Sequence, residues 1–112
     1  MDFTIPKPLE ELRDRVSAFV REKIIPFEKD PRWGHHGIPE DLRRDLNNAA
    51  KEAGLLGINS PEEFGGKGFS HFEQAVVFEA AGYSILGPIA LHFHAPDEGN
   101  IHMLDVIATP AQ

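Results

Sequence analysis

Apolar residues recur at helical spacing through the first quarter of the chain. Leucine, valine, phenylalanine and isoleucine side chains follow one another at steps of three and four residues between Leu9 and Ile24. This spacing places them on one face of a helix. Pro8 suits a first helical turn, and Pro26 is expected to end the run. The pattern predicts a first helix over residues 8–25.

A second amphipathic pattern begins at Pro39 and stops at Gly54. Gly54 is expected to adopt the left-handed conformation that ends many helices, because glycine has no Cβ to oppose it. The predicted buried face of this helix consists of Leu42, Leu46, Ala49 and Ala53.

A capping-box sequence marks the start of a third helix. Ser70 is followed three positions later by Glu73, a pairing in which each side chain accepts a hydrogen bond from the other residue's backbone amide. The helix is predicted to end at Gly82.

The loop before this helix contains a glycine cluster, Gly65-Gly66-Lys67-Gly68. Neither the glycine spacing of dinucleotide-binding loops nor a Gly-Lys-Ser/Thr ending is present, and no strand is predicted before the loop. We therefore expect a conformational role, with positive φ at Gly65, Gly66 or Gly68.

The stretch between Gln74 and Pro96 is almost uncharged, since Glu79 is its only formal charge. Its apolar runs are too short to span a bilayer. Two amphipathic helices cannot easily cover a helix that is apolar on all sides. We expect an apolar face that makes a homo-oligomer or another outside contact, through side chains drawn from Ile85, Leu86, Ile89, Leu91 and Phe93.

The last third of the chain predicts two further helices. One begins at Pro88 and ends at Pro96, and the next is capped by Asp97 and carries Ile101, Leu104 and Ile107. Thr109-Pro110 resembles the start of a sixth helix, so we expect a piece of a longer protein. The fold class is all-α, with about five helices in one domain over residues 1–112.

Charge and composition exclude several classes of function. Eighteen acidic and eleven basic side chains give a net charge of −7, which disfavours nucleic acid as a partner. The absence of cysteine excludes disulfides and Cys-type zinc sites. His92 and His94 are two residues apart and would diverge on a helix, so no metal site is predicted. No targeting or membrane segment is recognised, and a cytoplasmic location is expected.

Four sequence segments together resemble the N-terminal domain of the acyl-CoA dehydrogenases. The most specific is Pro-Glu-Glu-Phe-Gly-Gly-Lys-Gly at residues 61–68, with the capped helix behind it. The others are Ala-Lys-Glu-Ala-Gly-Leu-Leu-Gly at 50–57, the Glu79-x-x-Gly82 pair, and Ala-Pro-Asp-Glu-Gly-Asn at 95–100. The last is similar to one branch of the family, with a longer connection before its fifth helix.

This resemblance implies an FAD-dependent oxidoreductase of fatty acid metabolism that converts an acyl-CoA to its α,β-enoyl form and passes electrons to an electron-transfer flavoprotein. In the family, the catalytic glutamate and most flavin contacts lie beyond this domain. No residue of this chain is therefore assigned a catalytic or cofactor-binding role, and the fragment alone is expected to hold no FAD. By position, the residues implied to line the acyl pocket are Ile89, Ala90 and Phe93, and Leu104 is the alternative that could replace one of them.

Two other functions remain open from the sequence. One is a related flavoprotein such as an acyl-CoA oxidase or a nitroalkane oxidase. The other is a stand-alone helical interaction module.

Overall fold

Five α-helices, joined by turns and shorter helical segments, make up the computed structural model, which describes residues 2–112. Within these residues no strand forms, and sheet-like pairing is limited to one bridge between Gly34 and Gly37. The all-α prediction is confirmed. The helices are α1 Lys7–Phe19, α2 Glu40–Glu52, α3 His71–Ala81, α4 Gly87–Ala90 and α5 Asp97–Ile107.

The first helical run continues past Pro26. α1 passes into a π-helical turn over Val20–Ile24 and then a 3-10 turn over Ile25–Lys29. Proline is tolerated in a first helical turn because the amide donor it lacks would have no intrahelical partner there. The expectation that Pro26 ends the run was therefore wrong, and the backbone becomes extended only at Asp30.

α2 buries a face close to the predicted one. Leu42 and Leu46 are fully buried as expected, and Ala50 joins them. Ala49 and Ala53 are only half-buried, because the face that meets the core is centred on the Leu42, Leu46 and Ala50 row. Ala49 lies three residues after Leu46 and Ala50 lies four residues after it. Both steps are compatible with the same helix face, so the pattern alone could not choose between these two alanines.

The end of α2 is closed by a left-handed glycine and by a distant arginine. Gly54 has φ +68°, as predicted. The Arg15 guanidinium on α1 donates to the Ala53 carbonyl. A cation at a helix C-terminus satisfies an orphan carbonyl and interacts favourably with the helix dipole.

α3 begins with the predicted capping box. Ser70 Oγ accepts a hydrogen bond from the Glu73 amide at 3.3 Å, and Glu73 Oε2 accepts one from the Ser70 amide at 2.7 Å. The bond from the Ser70 amide lowers the pKa of Glu73, because it favours the ionised carboxylate.

The glycine cluster has the conformational role that was expected. Gly65 has φ +86° and Gly68 has φ +58°, both in the left-handed region. Gly66 is required for a different reason, since a Cβ there would lie 1.7 Å from the Ser60 carbonyl oxygen.

The nearly uncharged stretch is covered largely by the chain itself. α3 packs along α1, and α4 packs on α2 and on the π-helical turn. The Asn47 side-chain amide ties α2 to α4 by donating to the Ile89 and Ala90 carbonyls, both at 3.0 Å. The expected outside contact was therefore wrong for three of its residues, which are buried in the core: Leu86, Leu91 and Phe93.

The region after α4 departs from the predicted helices. α4 ends at Ala90 instead of Pro96, and His92 has φ +61°, a conformation incompatible with a continuing helix. Asp97 is the first residue of α5, and no side chain caps this helix. The prediction of Asp97 as the N-cap was wrong, because Pro96 occupies that position. In the described part of the chain, no helix is both long and apolar enough to cross a membrane.

Candidate functional site

α5 differs from the other helices in presenting its apolar side chains to solvent. None of its residues is buried. Leu104 is 54% exposed and Ile107 is 65% exposed. Exposed apolar side chains that cluster on one element mark a contact or ligand-binding surface.

One cleft lies between α5, the turn over Glu62–Phe64 and residues 108–112; we call it the apolar cleft. It has a volume of about 580 Å³, within the range of roughly 300–1,000 Å³ typical of small-molecule sites. Its apolar lining is Phe64, Ile101, Leu104, Ala108 and Pro110.

A second cleft, the polar cleft, lies on the side of α5 that faces the start of α3. Its volume is about 310 Å³. Ile101 and Asp105 line both clefts, so α5 forms a common wall between them. The Asn59 Oδ1 atom, from a residue of this lining, is buried and has no hydrogen-bond donor among the described residues. The polar side chains of the lining are Asn59, His71, Gln74, Glu98, His102 and Asp105.

The four residues predicted to line the acyl pocket do not meet in one cleft. Leu104 lines the apolar cleft. Ala90 is fully buried, and Phe93 is 6% exposed and stacks on Phe78 with a ring-centroid distance of 4.5 Å. Ile89 is half-buried against the core. The clefts beside α5 therefore include only Leu104 of the four, and the acyl-pocket role of all four stays a prediction.

His94, just before α5, lies near an acidic side chain without forming a metal centre. His94 Nδ1 is 3.6 Å from Asp97 Oδ2, too long for a hydrogen bond. Across residues 2–112, no group of three histidine, cysteine or acidic side chains is arranged to hold a metal ion.

The sequence of the chain matches a model of a known protein family over almost its whole length. The family is described as "Acyl-CoA dehydrogenase, N-terminal domain", and the match covers residues 7–112. The chain belongs to the acyl-CoA dehydrogenase family.

Relatives from mammals and bacteria carry the same family name. The chain is 26% identical to mouse acyl-CoA dehydrogenase family member 11 over 92% of this chain and 14% of the relative. It is 29% identical to the probable acyl-CoA dehydrogenase FadE2 of Mycobacterium tuberculosis over 100% of this chain and 28% of the relative. It is 36% identical to the rat mitochondrial long-chain specific acyl-CoA dehydrogenase over 64% of this chain and 16% of the relative.

The chain thus spans between about a seventh and just over a quarter of the length of these relatives. No solved structure matches it significantly.

Phe64 lines the apolar cleft of this acyl-CoA dehydrogenase domain, but it was not among the pocket residues predicted from the sequence. It is 68% exposed. A signal was present, because Phe64 is an aromatic side chain directly between the charged Glu63 and the glycine pair Gly65-Gly66. Phe64 lies next to the left-handed Gly65 and adds exposed apolar surface to the cleft.

Proposed function

We propose that this chain is the N-terminal, acyl-pocket-lining part of an FAD-dependent acyl-CoA dehydrogenase. The whole enzyme removes one hydrogen from the α-carbon and one from the β-carbon of an acyl thioester. In the family, a glutamate outside this domain takes the α-proton and the flavin takes the β-hydride. This chain contributes a wall of the pocket and no reacting group.

The observation that carries the proposal is the apolar cleft beside α5 in a chain whose family is that of acyl-CoA dehydrogenases. Phe64, in the turn before Gly65, and Leu104, on α5, both line this cleft and are more than half exposed. An extended acyl chain would remove both side chains from water. Burying apolar surface stabilises a complex by roughly 25 cal/mol per Å².

The polar groups at the rim suit a ligand with an amide-rich arm. Glu63 and Asp105 line the apolar cleft, and each offers a carboxylate acceptor to an N–H donor, whereas Gln112 Oε1 already accepts hydrogen bonds from the Thr109 amide and hydroxyl. The pantetheine part of coenzyme A carries two amides, so the thioester end of the ligand can hydrogen-bond at the rim while the acyl chain occupies the apolar lining.

The described residues do not themselves fit a flavin dinucleotide. Neither cleft beside α5 contains a lysine or an arginine, and both contain carboxylates. A pyrophosphate requires cationic side chains or a helix N-terminus directed at it. FAD would therefore be held by the part of the enzyme outside this domain.

The remaining partners follow from the same proposal. Residues 1–112 act as one domain, and the exposed face of α5 contacts the rest of the enzyme or a second subunit. An electron-transfer flavoprotein accepts the electrons after the acyl thioester is oxidised.

The test is an acyl-CoA titration of the isotope-labelled chain, followed by NMR. We expect octanoyl-CoA to shift the amides of Phe64, Ile101 and Leu104, whereas free coenzyme A leaves them unchanged, because the apolar contact comes from the acyl chain. Leu104→Asp should weaken octanoyl-CoA binding by about tenfold, since it places a charge against the acyl chain.

The matched control is Val106→Asp, an exposed residue of α5 outside the cleft lining. It should bind octanoyl-CoA like the unmodified chain. Equal weakening by both variants, or identical shifts with free coenzyme A, would overturn the assignment of the apolar cleft to the acyl chain.

A further inference from the structure

A third cleft lies between α1 and α3 and shares no lining residue with the clefts beside α5. Its volume is about 260 Å³, below the roughly 300–1,000 Å³ of sites for drug-sized ligands, so it suits a smaller molecule. We call it the interhelical cleft. Its apolar lining is Ile5, Val76 and Ala80, and its polar lining is Arg13, Ser17, Arg21, Glu79 and Tyr83.

One wall of the interhelical cleft is a row of hydrogen-bond donors on the first helical run. Arg13, Ser17 and Arg21 follow one another at steps of four residues, which brings them to the same side of a helix. Arg21 is exposed and forms no ion pair with any residue in 2–112.

Two carboxylates, those of Asp14 and Glu10, bind the Nε and Nη2 atoms of the Arg13 guanidinium. Its Nε and Nη2 atoms donate to Asp14 Oδ1 at 3.0 and 2.9 Å, and Nη2 lies 3.3 Å from Glu10 Oε1. Its Nη1 atom donates to no described residue. A guanidinium fixed in this way keeps donors available for a further acceptor with little loss of side-chain entropy.

The opposite wall, on α3, combines an apolar surface with one carboxylate. Val76 and Ala80 are one helical turn apart and buried, and they form the floor with Ile5. Glu79 is exposed and, like Arg21, has no ion-pair partner among the described residues. The cleft therefore carries unpaired charges of both signs above an apolar floor.

We propose that the interhelical cleft binds a small aliphatic amino acid in its zwitterionic form. The carboxylate accepts hydrogen bonds from Arg21 and from Arg13 Nη1, the ammonium group donates to Glu79, and the aliphatic side chain packs on Val76 and Ala80. Glu79 and the net charge of −7 disfavour a polyanion such as a phosphate ester at the same place. An uncharged apolar ligand would leave both charges without partners.

The experiment is a titration of the labelled chain with L-leucine, followed by NMR. We expect saturable shifts at the amides of Ser17, Val76 and Ala80. N-acetyl-L-leucine lacks the ammonium charge, L-leucinamide lacks the carboxylate and glycine lacks the aliphatic side chain. Each analogue should bind at least about tenfold more weakly than L-leucine, because each loses a charge-assisted hydrogen bond or the apolar contact.

Variants separate the two charged walls. Arg21→Gln and Glu79→Gln should each weaken L-leucine binding by about tenfold, and both side chains are exposed, so the fold is retained. Arg44→Gln, an exposed change on α2 outside the cleft, is the matched control and should bind like the unmodified chain. The proposal is overturned if L-leucine gives no saturable shift near its solubility limit, or if leucine and N-acetyl-leucine bind equally.

Discussion

The bundle of α1 to α4 and the helix α5 use apolar side chains in opposite ways. Each of the first four helices has buried residues, whereas α5 has none. Leu46 on α2 is fully buried, and Leu104 on α5 is 54% exposed. The same residue type therefore stabilises the core in one region and remains exposed at the surface in the other.

Charged side chains are also paired more closely near the bundle than at α5. Near α2, the Arg32 guanidinium bonds three carboxylates, with Nη2 2.9 Å from both Asp30 and Asp45 and Nη1 3.4 Å from Asp41. At the start of α5, the His94 and Asp97 atoms are 3.6 Å apart. The first four helices are held by contacts within the chain, whereas α5 leaves its apolar side chains exposed, and the buried Asp97 Oδ2 at its start has no hydrogen-bond donor among the described residues.

The largest expected effect tests this difference with one pair of leucines. Leu46→Ala should lower the free energy of unfolding by about 2–5 kcal/mol, because it opens a cavity in the core. Leu104→Ala should change it by less than about 0.5 kcal/mol, because the side chain is already in water. Urea denaturation of both variants measures the two values, and similar losses would contradict the division between bundle and α5.

Two glycines give the next largest contrast. A Cβ at Gly87 would lie 1.9 Å from the Ala81 carbonyl oxygen, so Gly87→Ala should cost about 1–3 kcal/mol through overpacking. A Cβ at Gly99 in α5 meets no atom within 4 Å, and Gly99→Ala should stabilise by about 0.4–1 kcal/mol. Opposite shifts in thermal midpoint are expected, and a loss at Gly99 would show that α5 is packed more tightly than its exposure indicates.

Substitutions at the N-termini of α3 and α5 should change the free energy of unfolding by smaller amounts. Ser70→Ala removes a capping bond to α3 and should cost about 1 kcal/mol. Asp97→Ala removes only a charge near the N-terminus of α5, where no capping bond exists, and should cost about 0.5 kcal/mol or less. Chemical denaturation distinguishes these values, and an equal cost would mean that Asp97 caps α5 in solution.

The smallest expected effect is the contribution of the Arg32 ion pairs to stability at acidic pH. The hydrogen bond from Arg32 lowers the pKa of Asp30 below its usual range. A lowered folded-state pKa contributes stability above the unfolded pKa of about 3.9, and this contribution is lost as the pH falls through the lower folded value. The thermal midpoint should therefore fall more steeply below about pH 4 in the unmodified chain than in Asp30→Asn.

Arg32→Gln serves as the second variant for this measurement. It removes the guanidinium from all three carboxylates, while the amide of residue 32 still donates to Asp30, so it should also flatten the acid limb. An unchanged acid limb in both variants would show that the Arg32 cluster does not contribute to stability.

Features defined by a few neighbouring residues were predicted correctly. The capping box of Ser70 and Glu73, the left-handed Gly54 and the positive φ of Gly65 and Gly68 all depend on local backbone geometry and on bonds between residues close in the chain. The helical period likewise placed Leu42 and Leu46 on the buried side of α2. These features can be predicted without knowing which other helix packs nearby.

Only the tertiary structure decided what covers each apolar side chain. The uncharged stretch predicted an outside partner for Leu86, Leu91 and Phe93, but neighbouring helices of the same chain cover all three. Leu104 has the same local pattern as a core residue and is exposed. Burial depends on where distant helices pack, whereas periodicity records only which side chains share a face. The sequence by itself therefore determined the all-α class, the capping box of α3, the left-handed glycines and the family. The end of α4 at Ala90 and the exposure of α5 were decided by the tertiary structure, because they depend on how distant segments pack.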